Sequence, residues 1–564
     1  MTHCTTHHRL CADDPTPAAA APAPKRLIHI DPSTAPPHLS LIETRPTPSP
    51  LPYTTLSHCW GPPTSPAAAA LKKTVRANLA AHLAHGIDFA SLPRLFRDAV
   101  AATLMAGCCY LWIDSLCIVQ DDPADWRDHA YHRMADIYAR SHFNIAATAL
   151  ADSEGGLFAG EGEGRRLHAC EPGAGDNHLA LHRHSAAALA VPSSHPEDPA
   201  SPLLQRGWVF QERLLSRRTL HCTASELVWE CRERTWCECG DLGESGSGNG
   251  AGGAGDGDDD DDGDGIGAVA QRRSTKIQFQ NMFEPGATPR SLLYDWMSIV
   301  TRYNHLQFTN PSDLPFAFAG VVQKVRDRMQ DSGGRYVAGL WTADLPRNLL
   351  WVGKKKRLDH EKGSRLYPVD WESVGRGPPS WSWMWYAGWP GARSAHYYGY
   401  LERVEVDEKA VVDLDRIVCE TEDGNPFGSV VQGVLRMSGR VVQGRLRAGE
   451  PKVVPKGFTY SHVREDAYVT FDKFDGDLGF PFGTDCYLYV RDSAGEEIEQ
   501  HVTCLLVGHE RERGGAYSKK ELRFFVLVLA RAGKGQSYRR MGIARWPKSS
   551  HVFSGEAVAE VEIV

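Results

Sequence analysis

Cys109-Tyr110-Leu111-Trp112-Ile113-Asp114 is an apolar run closed by one carboxylate. A strand that is apolar at every position needs cover on both faces, the condition of a strand inside a parallel sheet flanked by helices. Helical spacing stands on both sides of it. Leu71, Val75, Leu79 and Leu83 recur every four residues and predict a helix from Ala67 that Gly86 closes. Pro93 opens a second helix, with Phe96, Val100 and Leu104 as its stripe and Gly107 as its end. Downstream, Pro123 starts a third helix with Trp126, Ala130, Met134 and Tyr138 on one face, and Phe143–Thr148 has the length and composition of a further strand. With Tyr53–His58 read as the strand before these helices, the order is βαβαβ and the fold class is α/β, a parallel sheet flanked by helices.

Order is expected to begin near Arg26–Asp31, and Leu39–Ile42 reads as a short strand ahead of this unit. The strand from Tyr53 must break at Cys59-Trp60-Gly61-Pro62-Pro63, and a loop at the carboxyl end of a parallel strand is a usual ligand site. Residues 151 to 200, rich in Gly, Ala, His and Pro, read as an insertion. Arg206–Leu215 then predicts a short helix, because Trp208, Gln211, Glu212 and Leu215 fall on one face at i, i+3, i+4 and i+7. Thr219–Cys222 and Leu227–Cys231 follow as strands.

The remaining organisation follows from composition. A chain of 564 residues, 42% hydrophobic, can bury two or three cores. Its formal charge of −8 is local: seven of the acidic residues are the aspartates between 256 and 264, so the rest carries −1 and offers nucleic acid no basic field. The reading by residues is a disordered tail at 1–25, an α/β domain at 26–240, a disordered Gly/Asp-rich insertion at 241–270, a helical and Trp-rich middle segment at 271–395 and a β-rich C-terminal domain at 396–564. In the middle segment Leu292–Tyr303 and Pro315–Met329 have helical spacing. Trp341, Trp351, Trp371, Trp381, Trp383, Trp385 and Trp389 are expected to fill a core. In the last segment Val434–Val442, Cys486–Val490, Val502–Val507, Leu522–Ala530 and Val558–Val564 read as strands. The N-terminus lacks the pattern of a secretory signal, and Ala99–Ile113 is too short to cross a bilayer, so a cytoplasmic protein without a membrane span is expected. Cys108, Cys109, Cys117 and Cys504 sit in apolar runs, as reduced core thiols do.

Glu212 is the leading candidate for chemistry. One helical turn from Trp208, its carboxyl can be desolvated against the indole, raising its pKa; the structural alternative is an ion pair with Arg206 or Arg213. Asp114 faces a similar choice between a site acid and a cap for the turn Leu116–Gln120. Ser57 and His58 do not form a nucleophile and base, since neighbours in a strand point to opposite faces and no Gly-x-Ser-x-Gly elbow surrounds Ser57. Cys59 and Cys117 lie among apolar neighbours that leave a thiol inert. Neither His3, Cys4, His7, His8 and Cys11, in a tail too short to shape a site, nor the irregularly spaced Cys222, Cys231, Cys237 and Cys239 is assigned a metal. The Asp run lacks the closing glutamate of a calcium loop. Nor does the chain carry a Walker loop or a Gly-x-Gly-x-x-Gly turn opening a helix.

Three blocks together resemble the fungal heterokaryon-incompatibility (HET) domain: Tyr53–Gly61; the run from Leu92 to Ala147 with Trp112-Ile-Asp-Ser-Leu-Cys117 and Asp125-Trp126; and Gly207-Trp-Val-Phe-Gln-Glu212 through Trp229-Glu-Cys231. The resemblance covers about residues 26 to 231. Gly339-Leu-Trp341, Leu349-Leu-Trp351, Pro379-Ser-Trp-Ser-Trp383 and Tyr538-Arg-Arg-Met-Gly542 resemble segments that commonly follow this domain. The resemblance implies a role in non-self recognition, in which fusion of incompatible cells triggers programmed cell death. It also implies a distant likeness to Toll/interleukin-receptor (TIR) domains of flavodoxin-like order. There a helix glutamate beside a tryptophan cleaves the nicotinamide–ribose bond of NAD. On that likeness Glu212 is the catalytic residue, and Ser57, His58, Cys59, Trp60, Gly61, Asp114, Trp208 and Gln211 line the substrate crevice; NAD is a substrate and no cofactor is implied. The alternative implied function is a non-enzymatic scaffold that self-associates or binds another incompatibility protein.

Overall fold

In the computed structural model the strand at Tyr53 is buried at all five of its positions, and the first unit is built around it. The structure describes residues 1–12, 24–44, 51–158, 201–224, 226–238, 274–331, 334–355, 377–387, 392–397, 401, 403–448, 467–470, 480–481, 483–484, 500–510, 523–532, 535–547 and 551–564. The chain divides into two compact units. The first comprises Met1–Gly255, Gln271–Glu284 and Ala317–Val321.

Its sheet has eight strands: β1 (Arg26–Asp31), β2 (His38–Glu43), β3 (Tyr53–Ser57), β4 (Tyr110–Ile113), β5 (Asn144–Ala146), β6 (Arg218–Cys222), β7 (Leu227–Cys231) and β8 (Thr235–Cys237), in spatial order β2-β1-β4-β3-β5-β6-β7-β8. The four central strands, β4-β3-β5-β6, are parallel. On one edge β1 and β2 run antiparallel, and on the other β7 and β8 do. The sheet is therefore mixed, where the sequence predicts a parallel one. The correction has a local cause: β1 and β2, and β6, β7 and β8, are joined by connections too short for a helical crossover, so each pair closes as a hairpin.

The helices of this unit are α1 (Thr2–His7), α2 (Pro66–Ala70), α3 (Arg76–Ala84), α4 (Arg94–Met105), α5 (Asp114–Cys117), α6 (Pro123–Arg127), α7 (Met134–Arg140), α8 (Gly207–Leu215) and α9 (Thr275–Asn281), with a π turn between α6 and α7. The single helix expected from Ala67 is two, α2 and α3. Thr74 breaks it by giving its backbone N–H to Ser115 O at 2.9 Å and its hydroxyl to Leu116 O at 2.6 Å, while its carbonyl accepts from Gln120 N at 2.8 Å. Three tertiary bonds outweigh the weak preference of four spaced leucine and valine side chains.

Alternation along β3 assigns its two faces. Thr54 Oγ1 bonds Thr103 Oγ1 of α4 at 2.6 Å, and His58 lies edge-on to Phe96 of α4, ring centroids 5.1 Å apart. Tyr53 instead donates its hydroxyl to Ile137 O of α7 at 2.7 Å. Leu95, Phe96, Ala99 and Val100 bury the apolar face of α4 in the same core as Leu56, Leu111, Trp112 and Ile113. Each leucine, isoleucine, valine or phenylalanine among them contributes about 1.5–3 kcal/mol through area removed from water.

Of the disordered tail expected at residues 1–25, residues 1–12 are ordered, and 13–23 lie outside the described residues. Thr2–His7 is helical, and Cys4, His8 and Cys11 are buried with Cys231 at the end of β7. Residues 159–200 of the insertion expected at 151–200, the insertion expected at 241–270, Cys239, Trp371, Trp389 and the strand Cys486–Val490 lie outside the described residues.

The second unit comprises Asp256–Ala270, Pro285–Phe316 and Val322–Val564. Its largest sheet has eleven strands, with the 19-residue strand Val430–Ala448 paired antiparallel to Gln500–Glu510 and to Val558–Ile563. Trp341, Trp351, Trp381 and Trp383 are fully buried, as core tryptophans are. Their indoles tie turns together: Trp351 Nε1 donates to Trp381 O at 3.0 Å and Trp383 Nε1 to Gly339 O at 2.8 Å. Gly339 has φ +89°, and a Cβ there would lie 2.7 Å from Trp383 Nε1, which explains glycine before Leu340-Trp341. No helix among the described residues is long and apolar enough to cross a membrane.

Candidate functional site

Four parallel strands in the order β4-β3-β5-β6 place the reversal of chain direction across the sheet at β3, with β4 on one side and β5 on the other. Ligand crevices in such sheets lie outside the carboxyl ends of the strands at this point. Ser57 ends β3 and Asp114 follows β4, so both stand at that rim.

Ser57 Oγ donates to Glu212 Oε2 of α8, which joins the first and last sequence blocks directly. Asn144 of β5 supports the hydroxyl, its Nδ2 donating to Ser57 Oγ at 3.0 Å, and Thr55 Oγ1 donates to Asn144 Oδ1 at 3.0 Å. Glu212 is only 7% exposed. Burial raises its pKa from 4.5 to about 7; the negative charge of Asp114 pushes the same way, and hydrogen bonds from Ser57 and Tyr138 oppose it. The Tyr138 hydroxyl is held well above its ordinary value by burial and then by the Glu212 charge, so it stays a proton donor. A carboxyl balanced near neutrality beside two hydroxyls can accept a proton or stabilise a positive charge.

Asp114 is the first residue of α5. Its Oδ1 accepts from Ser115 N at 2.6 Å as α5 begins, and its Oδ2 accepts from Trp60 Nε1 at 3.1 Å. With 28% of its side chain exposed, it marks where the cluster meets solvent. The loop after β3 is held by the Trp60 bond, by Lys73 Nζ 5.0 Å above the Trp60 ring, and by Gly61, whose φ of +87° turns the chain.

His58 points away from Ser57, onto the α4 face. Its Nδ1 is 3.7 Å from Asp114 Oδ1, and burial lowers its pKa, so the ring is neutral. Neither ring nitrogen has a hydrogen-bond partner among the described residues. Ser57 is thus paired with a carboxyl and not with a histidine, against a hydrolase dyad. Burial raises the Cys59 thiol, and pushes Cys117 up to about 12, leaving neither a nucleophile at neutral pH.

Gln211 is buried beside Glu212, and its Nε2 lacks a partner among the described residues. Trp208 is half-buried, edge-on to Trp126 with ring centroids 6.1 Å apart. Arg213 does not pair with Glu212. It donates to Glu230 from Nε and Nη2, each at 2.8 Å. Glu230 also accepts from Ser274 Oγ, stands 3.3 Å from His221 Nε2 and lies 4.0 Å from Lys276 Nζ. Its carboxyl is held well below the usual range against the cost of burial, with Arg213 as the first compensating cause. Asp125 is likewise structural, pairing with Arg26 and with Lys25 at 2.6 Å and accepting from Val119 N at 2.8 Å.

Sequence reasoning missed Asn144 and Tyr138. Period-2 alternation in β3 and β5 carries the signal for Asn144, a polar residue in an apolar strand opposite Thr55; Tyr138 looked like a plain core position of its helix.

The family model of the heterokaryon incompatibility protein (HET) matches residues 53–212, a span that opens on the first residue of β3 and closes on Glu212. No curated protein and no solved structure matches the chain. A domain of this family implies a role in heterokaryon incompatibility. The blocks that meet around Ser57, Asp114 and Glu212 therefore all lie within the one segment of the chain, residues 53–212, that matches the heterokaryon-incompatibility (HET) domain.

Proposed function

We propose that the HET domain triggers cell death by hydrolysing NAD, with Glu212 as the catalytic carboxylate. The supporting observation is the buried Glu212, raised to about 7 and hydrogen-bonded by Ser57 at the carboxyl end of β3. The order of the four parallel strands, second-first-third-fourth, supports the reading by its likeness to a flavodoxin-like order, and Glu212 sits on the helix before the last of these strands.

In the reaction the bond between C1′ of ribose and the nicotinamide nitrogen breaks, and its electron pair leaves with nicotinamide. The ionised Glu212 stabilises the oxocarbenium-like ribose; water adds to C1′, giving ADP-ribose and one proton, which the carboxylate can accept. Lys73 and Arg206, both half-buried near the loop, supply positive charge for a diphosphate. Because Glu212 is shielded from solvent, the reading includes an opening step at the Trp60–Asp114 link before substrate enters.

That same shielding favours a second reading, in which Ser57, Asn144, Tyr138 and Glu212 are a core network of a non-enzymatic module acting by self-association and partner binding. Full-length protein incubated with NAD, dilute and under crowding that drives assembly, separates the two. Release of nicotinamide and ADP-ribose that disappears in Glu212→Gln supports the enzyme. Equal release by that variant removes Glu212 from the chemistry, and killing of cells by a variant that releases nothing supports the scaffold.

A further inference from the structure

The N-terminal segment has little apolar surface, yet it is buried against the β7–β8 hairpin. Cys4, His8 and Cys11 come from α1 and the turn after it, in the spacing Cys-x3-His-x2-Cys, and Cys231 comes from the last position of β7. One ligand atom from each lies within 4.8 Å of all the others, and all four residues are buried. His8 Nδ1 is 3.3 Å from Cys231 Sγ. The sequence offered two separate clusters, each defective alone; folding takes three members of the first and one of the second.

We propose that Cys4, His8, Cys11 and Cys231 bind one zinc ion that fastens the N-terminal segment to the edge of the HET-domain sheet. Three thiolates and an imidazole are a donor set for tetrahedral zinc and are poorly suited to calcium or magnesium. Zinc–sulfur bonds of about 2.3 Å put tetrahedral sulfurs about 3.8 Å apart, so the cluster needs only a small contraction to close on an ion.

The surroundings are those of an ordered site. Arg234 N donates to Cys231 Sγ at 3.3 Å, as backbone amides do to thiolates in a hairpin. His8 stacks on Trp236 with centroids 5.3 Å apart, which fixes its ring. Leu10 N donates to Glu233 Oε1 at 2.6 Å and Leu10 O accepts from Arg232 Nη1 at 3.2 Å, which set the segment in register with the hairpin. Three thiolates on a divalent ion leave one negative charge, and the buried guanidinium of Arg218, bonded to Cys11 O, stands beside it. A cavity lined by Met1, His3, Cys4, Trp229, Arg234 and Trp236 gives an ion access.

The proposal is independent of NAD cleavage. Full-length protein without a polyhistidine tag, purified under reducing conditions, is expected to hold about one zinc per chain by elemental mass spectrometry. Cys231→Ser and His8→Ala are expected to lower the zinc content at least about fivefold, and Cys237→Ser to leave it unchanged. Since the first two variants can misfold, wild-type protein is also loaded with cobalt(II) alone. A thiolate-to-cobalt charge-transfer band in the near ultraviolet, with d–d bands of tetrahedral intensity, supports the site. Absence of both zinc and the cobalt spectrum overturns it.

Discussion

Ser57 Oγ donates to Glu212 Oε2 across 155 positions of sequence, joining the end of the strand Tyr53–Ser57 to the helix Gly207–Leu215. This bond and the nearby Asp114 charge act on the carboxyl in opposite directions, so its titration reports on both.

Ionised Glu212 is the active form in the proposed reaction, so NAD hydrolysis is expected to rise with pH through about 7. Ser57→Ala removes a bond to the carboxylate and should move that limb up by about one to two units, as a hydrogen bond to a charge is worth about 1.5–3 kcal/mol. Asp114→Asn removes a like charge and should move it down. Rate profiles against pH for the two variants check the signs, and shifts in the same direction would contradict the arrangement.

Stability carries the same signature with the sign fixed by linkage. The folded carboxyl keeps its proton to about 7 while the unfolded one loses it near 4.5, so folding stability falls as pH rises across this window. The shift corresponds to about 3 kcal/mol. Glu212→Gln does not titrate. Its stability relative to wild type is expected to improve by up to about 3 kcal/mol from about pH 4.5 to about pH 8, read by urea denaturation at both ends.

Glu230 holds Arg213, His221, Lys276 and Ser274 around one buried carboxylate. Glu230→Gln leaves Arg213 and Lys276 without their counter-charge and is expected to cost about 3–5 kcal/mol. Thermal unfolding measures it; a change under about 1 kcal/mol would mean that solvent reaches the cluster.

Gly339→Ala must place a Cβ against the buried indole of Trp383 at a φ of +89°. A loss of about 2 kcal/mol or more is expected from strain and overpacking together, with a red shift of tryptophan emission if the indole is displaced.

Much of the HET domain was legible because it rests on local patterns. The apolar run closing on Asp114, the turn glycines and prolines, and the one-faced spacing of Trp208, Gln211, Glu212 and Leu215 predict elements that the structure contains at Tyr110–Ile113 and Gly207–Leu215. The predicted helix from Ala67 failed at Thr74 because distant carbonyl and amide groups satisfied its backbone better than a helix could.

What the sequence by itself determined was the order of strands and helices, the opposed faces of Ser57 and His58, and the set of residues from which a site could be drawn. Each follows from backbone period and side-chain chemistry within a few positions. Only the tertiary structure decided which partners those residues took: Arg213 to Glu230, Ser57 to Glu212, and Cys231 to Cys4, His8 and Cys11. Pairing between residues of different elements, 17 positions apart for Arg213 and Glu230 and 155 for Ser57 and Glu212, depends on strand order and burial. Desolvation then sets whether a carboxyl such as Glu212 is charged at neutral pH.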